Sequence, residues 1–143
     1  MTSILLDIAR NRIPFTLSVG NRNVSKINGH LTLSNRIPEK FLFRNFHVNN
    51  DIFIFDLYSS IFSYDPDIFL PNENKIITGF SETAIRPRSE YKAEIVNTNP
   101  IFVYLSWTEL EVGKLYHVGP SENGVIKLLS SNNIGFVLTP IRN

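Results

Sequence analysis

The sequence predicts an all-β protein, and three observations support this prediction. β-Branched and aromatic residues are abundant, with 17 Ile and 11 Phe among 143 residues, whereas Ala occurs three times. Turn signals built from Gly, Pro and Asn recur about every 8–12 residues. No long segment has the 3.6-residue apolar period of an amphipathic helix. This pattern is typical of an antiparallel sandwich or barrel, and we favour a β-sandwich of the jelly-roll or immunoglobulin-like type with about eight to ten strands.

Each candidate strand is a short apolar run between two turn signals, and together they form one domain spanning residues 1–143. The first run lies at the N-terminus, where an extended segment outside the sandwich is an open alternative. A helix is conceivable only near Ser59–Ser63, and we do not predict one there. The candidates are Ser3–Ile8, Phe15–Val19, His30–Ser34, Phe41–Val48, Ile52–Leu57, Lys75–Phe80, Tyr91–Val96, Ile101–Trp107, Lys114–Val118, Gly124–Leu129 and Ile134–Thr139.

The strand Ile101–Trp107 differs from the others because it is apolar on both faces. Its odd-numbered residues, Val103 among them, are expected to face the core. Phe102 and Tyr104 then point outward, where a second sheet or a partner molecule must cover them. We therefore name Phe102 and Tyr104 as interface candidates.

Composition excludes several classes of protein. The absence of Cys removes disulfide scaffolds, Cys-ligated zinc sites and thiol nucleophiles. A net charge of +1 does not suit a protein whose main ligand is nucleic acid, which is therefore not an expected partner. No run of 18 apolar residues is present and the first ten residues lack the features of a signal peptide, so no membrane association is expected.

No catalytic or metal-binding constellation is visible in the sequence. The histidines His30, His47 and His117 have no ligand spacing, and neither a Gly-rich phosphate loop nor a nucleophile elbow occurs. We therefore predict a protein that is not an enzyme, with no catalytic residues, no metal site and no cofactor.

Residues 51–69 combine aromatic side chains with carboxylates. Aromatic faces beside hydrogen-bonding groups can bind sugars, because the rings stack on C–H groups while the carboxylates accept hydroxyl protons. The simpler interpretation is a core strand followed by a loop that packs on a neighbour. Under the sugar-binding alternative the candidate residues are Asp56, Tyr58, Tyr64, Asp65 and Asp67.

Charged residues are distributed unevenly along the chain. Residues 1–50 sum to +5 and residues 51–100 to −4. Either the strands interleave and mix these charges, or the molecule has opposite poles that attract copies head to tail. The exposed basic turn at Arg86 and Arg88 adds two interface candidates.

The segment Ala84–Leu105 carries a resemblance to a known group of proteins. It contains Val96-Asn97-Thr98-Asn99-Pro100-Ile101-Phe102-Val103, a turn between two strands. This hairpin resembles those of the small β-sandwich accessory proteins of tailed-bacteriophage virions, and the similarity covers about 60 residues of the C-terminal half. The resemblance implies no catalytic residues. It implies attachment to a capsid, portal or tail, often as a symmetric oligomer.

Two hypotheses follow from these observations. The first is a non-enzymatic structural protein of a phage virion, assembled in the host cytoplasm, whose partners are copies of itself and other virion proteins. The alternative is a carbohydrate-binding module or lectin-like sandwich that uses residues 51–69.

Overall fold

The computed structural model describes residues 2–61, 66–81, 83, 89–131 and 134–142. Within these residues, one α-helix, α1 (Ser3–Arg10), precedes twelve β-strands. The strands are β1 (Phe15–Val19), β2 (Arg22–Ile27), β3 (His30–Ser34), β4 (Phe41–Asn49), β5 (Ile52–Ser59), β6 (Asp67–Pro71), β7 (Ile77–Ser81), β8 (Ser89–Thr98), β9 (Ile101–Glu109), β10 (Lys114–Pro120), β11 (Ile126–Leu129) and β12 (Phe136–Pro140).

The all-β prediction is confirmed, and ten of the eleven candidate strands overlap observed ones. The prediction of a strand at Ser3–Ile8 is wrong, because these residues form α1. Leu5, Ile8 and Ala9 have helical spacing and are buried on one face of it. The segment is short enough that its apolar residues fit a strand equally well.

Two strands, β2 and β6, were not predicted from the sequence. The sequence of β2 is Arg-Asn-Val-Ser-Lys-Ile, which is mostly polar and lacks the apolar alternation of a strand. Four of its six residues are not fully buried in the structure. The short strand β6 ends at Pro71 and follows the Asp65-Pro66 turn signal, which made the region look like a loop. Both strands are held by their sheet neighbours rather than by strong local preference.

All twelve strands belong to one hydrogen-bonded sheet that closes on itself. Nine strands form a closed antiparallel ring in the order β9–β12–β1–β2–β3–β7–β6–β5–β8, and β8 returns to β9. A jelly-roll or immunoglobulin-like sandwich would instead contain two separate sheets. Short alternating strands and tight turns occur in both sandwiches and barrels. The sequence pattern therefore did not show that this sheet closes into a barrel.

The pairings repeat with a three-fold pattern of four strands each: β1–β4, β5–β8 and β9–β12. The first strand of each unit pairs with the second and fourth strands of its own unit and with the fourth strand of the preceding unit. Thus β1 pairs with β2, β4 and β12; β5 with β6, β8 and β4; and β9 with β10, β12 and β8. The β1–β4 contact closes an inner ring of six strands, and this is the arrangement of a β-trefoil.

Three equivalent hydrogen bonds link the units at one end of the barrel. In each, a turn residue with left-handed backbone accepts a bond from the next unit through its carbonyl oxygen. The bonds run from Gly79 N–H to Gly29 O (3.0 Å), from Leu128 N–H to Lys75 O (2.9 Å) and from Leu33 N–H to Gly124 O (2.8 Å). Each donor lies four residues after the turn residue of its own unit, so the three bonds have the same geometry.

Large apolar side chains from all three units fill the barrel. Phe41, which lies where β1 meets β4, is fully buried and contacts Phe15 and Phe69 with ring centroids 5.8 and 5.3 Å apart. Tyr91 is also buried, and its hydroxyl donates a hydrogen bond of 2.7 Å to the carbonyl oxygen of Phe69. Burial raises the pKa of Tyr91, so the phenol stays protonated and keeps donating.

Candidate functional site

Strand β9 has the two-faced character that its sequence predicts. Its odd-numbered residues from Ile101 to Trp107 are buried, and Val103 has no exposed surface. Phe102 and Tyr104 lie on the outer face and are half-buried, with ring centroids 5.8 Å apart in an edge-to-face contact. The assignment of these faces to core and exterior is therefore confirmed.

Phe102 is partly covered by its own chain. Its ring lies against Gly135, where an added Cβ would come within 2.3 Å of the ring's Cζ atom. Only a glycine leaves space for the aromatic ring at this position. Phe102 thus contributes to folding, and Tyr104 is the more available of the two interface candidates.

Tyr104 lines a shallow depression of about 240 Å³ on the outer face of the barrel. The depression also includes Ile52, Lys92, Glu94 and Leu115. Ile52 and Leu115 are 37% and 54% exposed, which is high for large apolar side chains. We call these five residues the outer-face patch. It combines an apolar centre with one charge of each sign.

The basic turn at Arg86 and Arg88 lies outside the described residues. The same is true of Tyr64 and Asp65 from the proposed sugar-binding segment. In Ser59–Ser63, for which no helix is predicted, residues 59–61 are described and are not helical, and the other two residues lie outside the described part. Those interface and ligand candidates therefore stay predictions.

The other sugar-binding candidates are engaged within the fold. Tyr58 is 4% exposed, and the guanidinium carbon of Arg44 lies 4.8 Å from the centre of its ring. The carboxylate of Asp56 accepts a hydrogen bond of 2.9 Å from the side chain of Asn45. Asp67 lies on a different strand and forms an ion pair with Lys26. Asp56, Tyr58 and Asp67 therefore do not present an open aromatic platform beside free carboxylates.

Charged residues of the positive and negative segments meet on neighbouring strands. Lys26 Nζ lies 2.8 Å from Asp67 Oδ2, and β4 pairs with β5 so that Arg44 stands opposite Asp56. The hydrogen bond from Lys26 to Asp67 raises the pKa of the ammonium group. At these pairs, charges from residues 1–50 and 51–100 lie side by side, as interleaved strands predict. The alternative of opposite poles stays a prediction.

Glu39 occupies a half-buried position where its charge is unfavourable. Removal from water raises the pKa of the Glu39 carboxyl, although a hydrogen bond of 3.1 Å from Ser59 Oγ and the positive charge of Lys26 oppose this effect. The folded protein therefore binds this proton more tightly than the unfolded chain does.

We expect Glu39→Gln to stabilise the protein at neutral pH. As the pH rises through the window between the ordinary carboxyl pKa of 4.5 and the raised folded value, the unfolded state releases its proton first and the wild type loses stability. The amide has no charge to desolvate and can still accept the Ser59 bond. Urea unfolding at pH about 7 and about 4 measures this: the advantage of the variant should shrink at the lower pH. A less stable variant at neutral pH would contradict the assignment.

The described residues contain no group of three or more His, Asp or Glu side chains placed to hold a metal ion. The three histidines lie on three different strands, β3, β4 and β10. The described part of the chain also contains no helix long and apolar enough to cross a membrane.

A second cavity, of about 330 Å³, was not predicted from the sequence. Trp107 and Tyr116 line it together with residues from the turn after β6. The sequence does contain a signal for this turn, since Pro71-Asn72-Glu73-Asn74 is repeated as Pro120-Ser121-Glu122-Asn123. The two copies occupy equivalent turns of the second and third units.

Comparisons with known proteins give no relatives for this chain: no family model, no curated protein and no solved structure matches it.

Proposed function

We propose that the protein is a non-enzymatic assembly protein that associates with copies of itself through the outer-face patch. The observation that carries this proposal is the exposure of Ile52 and Leu115 around the half-buried ring of Tyr104. Three large apolar side chains around one depression on a sheet face favour burial against another protein surface.

The charges of the patch favour a second copy as the occupant. Lys92 and Glu94 lie two residues apart on β8, so both side chains point to the outer face. In a two-fold contact the same surface meets itself, and Lys92 of one copy can then oppose Glu94 of the other. The apolar centre supplies the free energy of association, while the paired charges fix the orientation.

The particular assembly we propose is a phage virion, in which the protein is an accessory component of the head or tail. This part of the proposal is supported by the resemblance of the Ala84–Leu105 hairpin. Strands β8 and β9 do form an antiparallel hairpin there, joined through Asn99 and Pro100. Other virion proteins would then be partners besides copies of the same chain.

Sedimentation velocity on charge-inserting variants tests the patch. We expect Leu115→Asp and Tyr104→Asp to weaken association at least about tenfold, because each places a carboxylate in an apolar contact. Ile37→Asp is the matched control, since Ile37 is 85% exposed and does not line the depression. Equal association of all three variants and the wild type would overturn the proposed interface.

Carbohydrate binding by residues 51–69 is the second candidate function. It is favoured by the aromatic and acidic composition of this segment, whereas the engagement of Tyr58 and Asp67 within the fold weighs against it. If this function were correct, sugar binding would be lost in Asp56→Asn and retained in patch variants such as Leu115→Asp.

A further inference from the structure

The three-fold arrangement creates three equivalent clefts, and one of them differs chemically from the other two. Each cleft lies where the turn between the second and third strands of one unit meets the first hairpin of the next unit. The left-handed residues Gly29, Lys75 and Gly124 mark the three turns. The side chains at equivalent backbone positions of the three clefts can therefore be compared with one another.

In two of the clefts, a charged side chain is engaged by a contact within the protein. In the cleft beside Gly29, Lys26 and Asp67 form their 2.8 Å ion pair, and the carboxylate occupies the space that a side chain at Gly79 would need. In the cleft beside Gly124, the guanidinium of Arg22 donates a 3.0 Å hydrogen bond to the carbonyl oxygen of Leu33. The cleft beside Gly124 remains an open depression of about 540 Å³, and none of its described lining residues is aromatic.

The cleft beside Lys75 contains the aromatic pair instead. Trp107 and Tyr116 are cross-strand partners with ring centroids 6.5 Å apart, and Tyr116 is half-buried. The side chains of Glu73, Lys75 and Glu109 line the same cleft, and none of them forms a hydrogen bond or ion pair with another described residue. Of the clefts that the described residues form, this one combines aromatic walls with side-chain donors and acceptors that have no described partner.

The indole N–H of Trp107 adds an independent observation. Trp107 is 5% exposed, and its Nε1 atom is buried without a hydrogen-bond partner among the described residues. A buried donor without an acceptor is costly. A ligand oxygen that reached this nitrogen would remove that cost.

The charges of the cleft select the class of ligand. Glu73 and Glu109 are balanced by Lys75 and by Lys114, whose ammonium group lies 4.9 Å from the centre of the Tyr116 ring. Because the local charge sums to zero, neither a simple anion nor a simple cation is favoured. Aromatic rings pack against apolar C–H groups, while carboxylate and ammonium groups pair with hydroxyls that both donate and accept.

We propose that the cleft between Trp107 and Tyr116 binds a neutral saccharide. The sugar's C–H face packs against Tyr116, and its hydroxyl groups bond to Glu73, Glu109 and Lys75. This site is distinct from residues 51–69 and from the outer-face patch. On β10, Tyr116 lines the cleft, whereas its neighbour Leu115 lies on the opposite face and belongs to the outer-face patch.

The chain contains a single Trp, so its indole N–H gives one resonance in a ¹H–¹⁵N correlation spectrum and reports directly on the cleft. The probes are the methyl glycosides of glucose, galactose, mannose and N-acetylglucosamine, each titrated to about 50 mM to detect millimolar affinities. We expect at least one of them to shift the indole resonance in a saturable manner.

Two variants at equivalent turn positions provide the matched control. Glu73→Gln removes a charged acceptor from the cleft and should weaken binding about tenfold. Glu122→Gln makes the same change in the equivalent turn of the third unit, where Arg22 replaces the aromatic partner, and should bind as the wild type does. Tyr116→Ala should also abolish the shift.

Three results would overturn the proposal. The first is the absence of a saturable indole shift with every glycoside. The second is equal weakening by Glu73→Gln and Glu122→Gln, which would place the effect outside this cleft. The third is a shift produced by sodium phosphate or tetramethylammonium chloride but not by sugars, which would make the cleft an ion site. None of these results bears on self-association, so the two proposals fail separately.

Discussion

Val103→Asp is expected to unfold the protein. Val103 has no exposed surface and lies in the inner ring, paired with Ile95 on one side and Phe136 on the other. An aspartate there would bury a carboxylate without a partner, at a cost of more than about 4 kcal/mol, which is a large part of the ~5–15 kcal/mol that stabilises a typical domain. Loss of the near-ultraviolet circular dichroism of the aromatic core measures the effect.

Tyr104→Asp is the control for this experiment, since it places the same charge one residue further along β9 on the outer face. We expect this variant to remain folded. Unfolding of both variants would mean that Tyr104 contributes to the core, and the outer-face patch would lose its basis as an interface.

Phe41→Ala is expected to destabilise the fold by about 3–5 kcal/mol, because it removes a fully buried ring and leaves a cavity. Phe41 also supplies the contact between β1 and β4 that closes the inner six-strand ring. Leu42→Ala removes a half-buried side chain from the opposite face of β4 and should cost clearly less. Urea unfolding of both variants measures the difference. Equal costs would show that the inner ring is not the centre of stability.

The strands could be predicted largely from local signals. Regular apolar alternation identified Phe15–Val19 and His30–Ser34 with the observed bounds, and the odd-even pattern of Ile101–Trp107 gave the correct inner and outer faces. The helix at Ser3–Arg10 was missed because four apolar residues in a short segment fit either period.

The three-fold organisation could not be predicted, because the three units differ in length and in the residues at equivalent positions. Equivalent core positions are occupied by Phe15, Phe55 and Val103, which are 40 and 48 residues apart because the connecting loops differ in length. The sequence also contains Asn-Arg-Ile-Pro twice, at residues 11–14 and 35–38. The first copy precedes β1 and the second lies between β3 and β4, so this repeat does not follow the spacing of the units. Closure of the barrel depends on pairings between distant strands, which local patterns do not encode.

The candidate sites were predicted in part. Tyr104 lies on an outer surface as its position in the alternating strand indicates, but Phe102 is partly covered by Gly135. The cleft of Trp107 and Tyr116 was not identified from the sequence, because its residues come from two distant parts of the chain. These are the turn between β6 and β7 and the β9–β10 hairpin. Only the fold brings these two parts of the chain together.

The mass of the wild-type protein in solution, measured by multi-angle light scattering across a range of protein concentrations, tests self-association most directly. If the protein associates through the outer-face patch, the mass rises from 16.4 kDa towards a multiple of that value as concentration increases. Because the patch is apolar at its centre, ammonium sulfate should strengthen the association. A mass of one chain at every concentration, with or without ammonium sulfate, would contradict self-association.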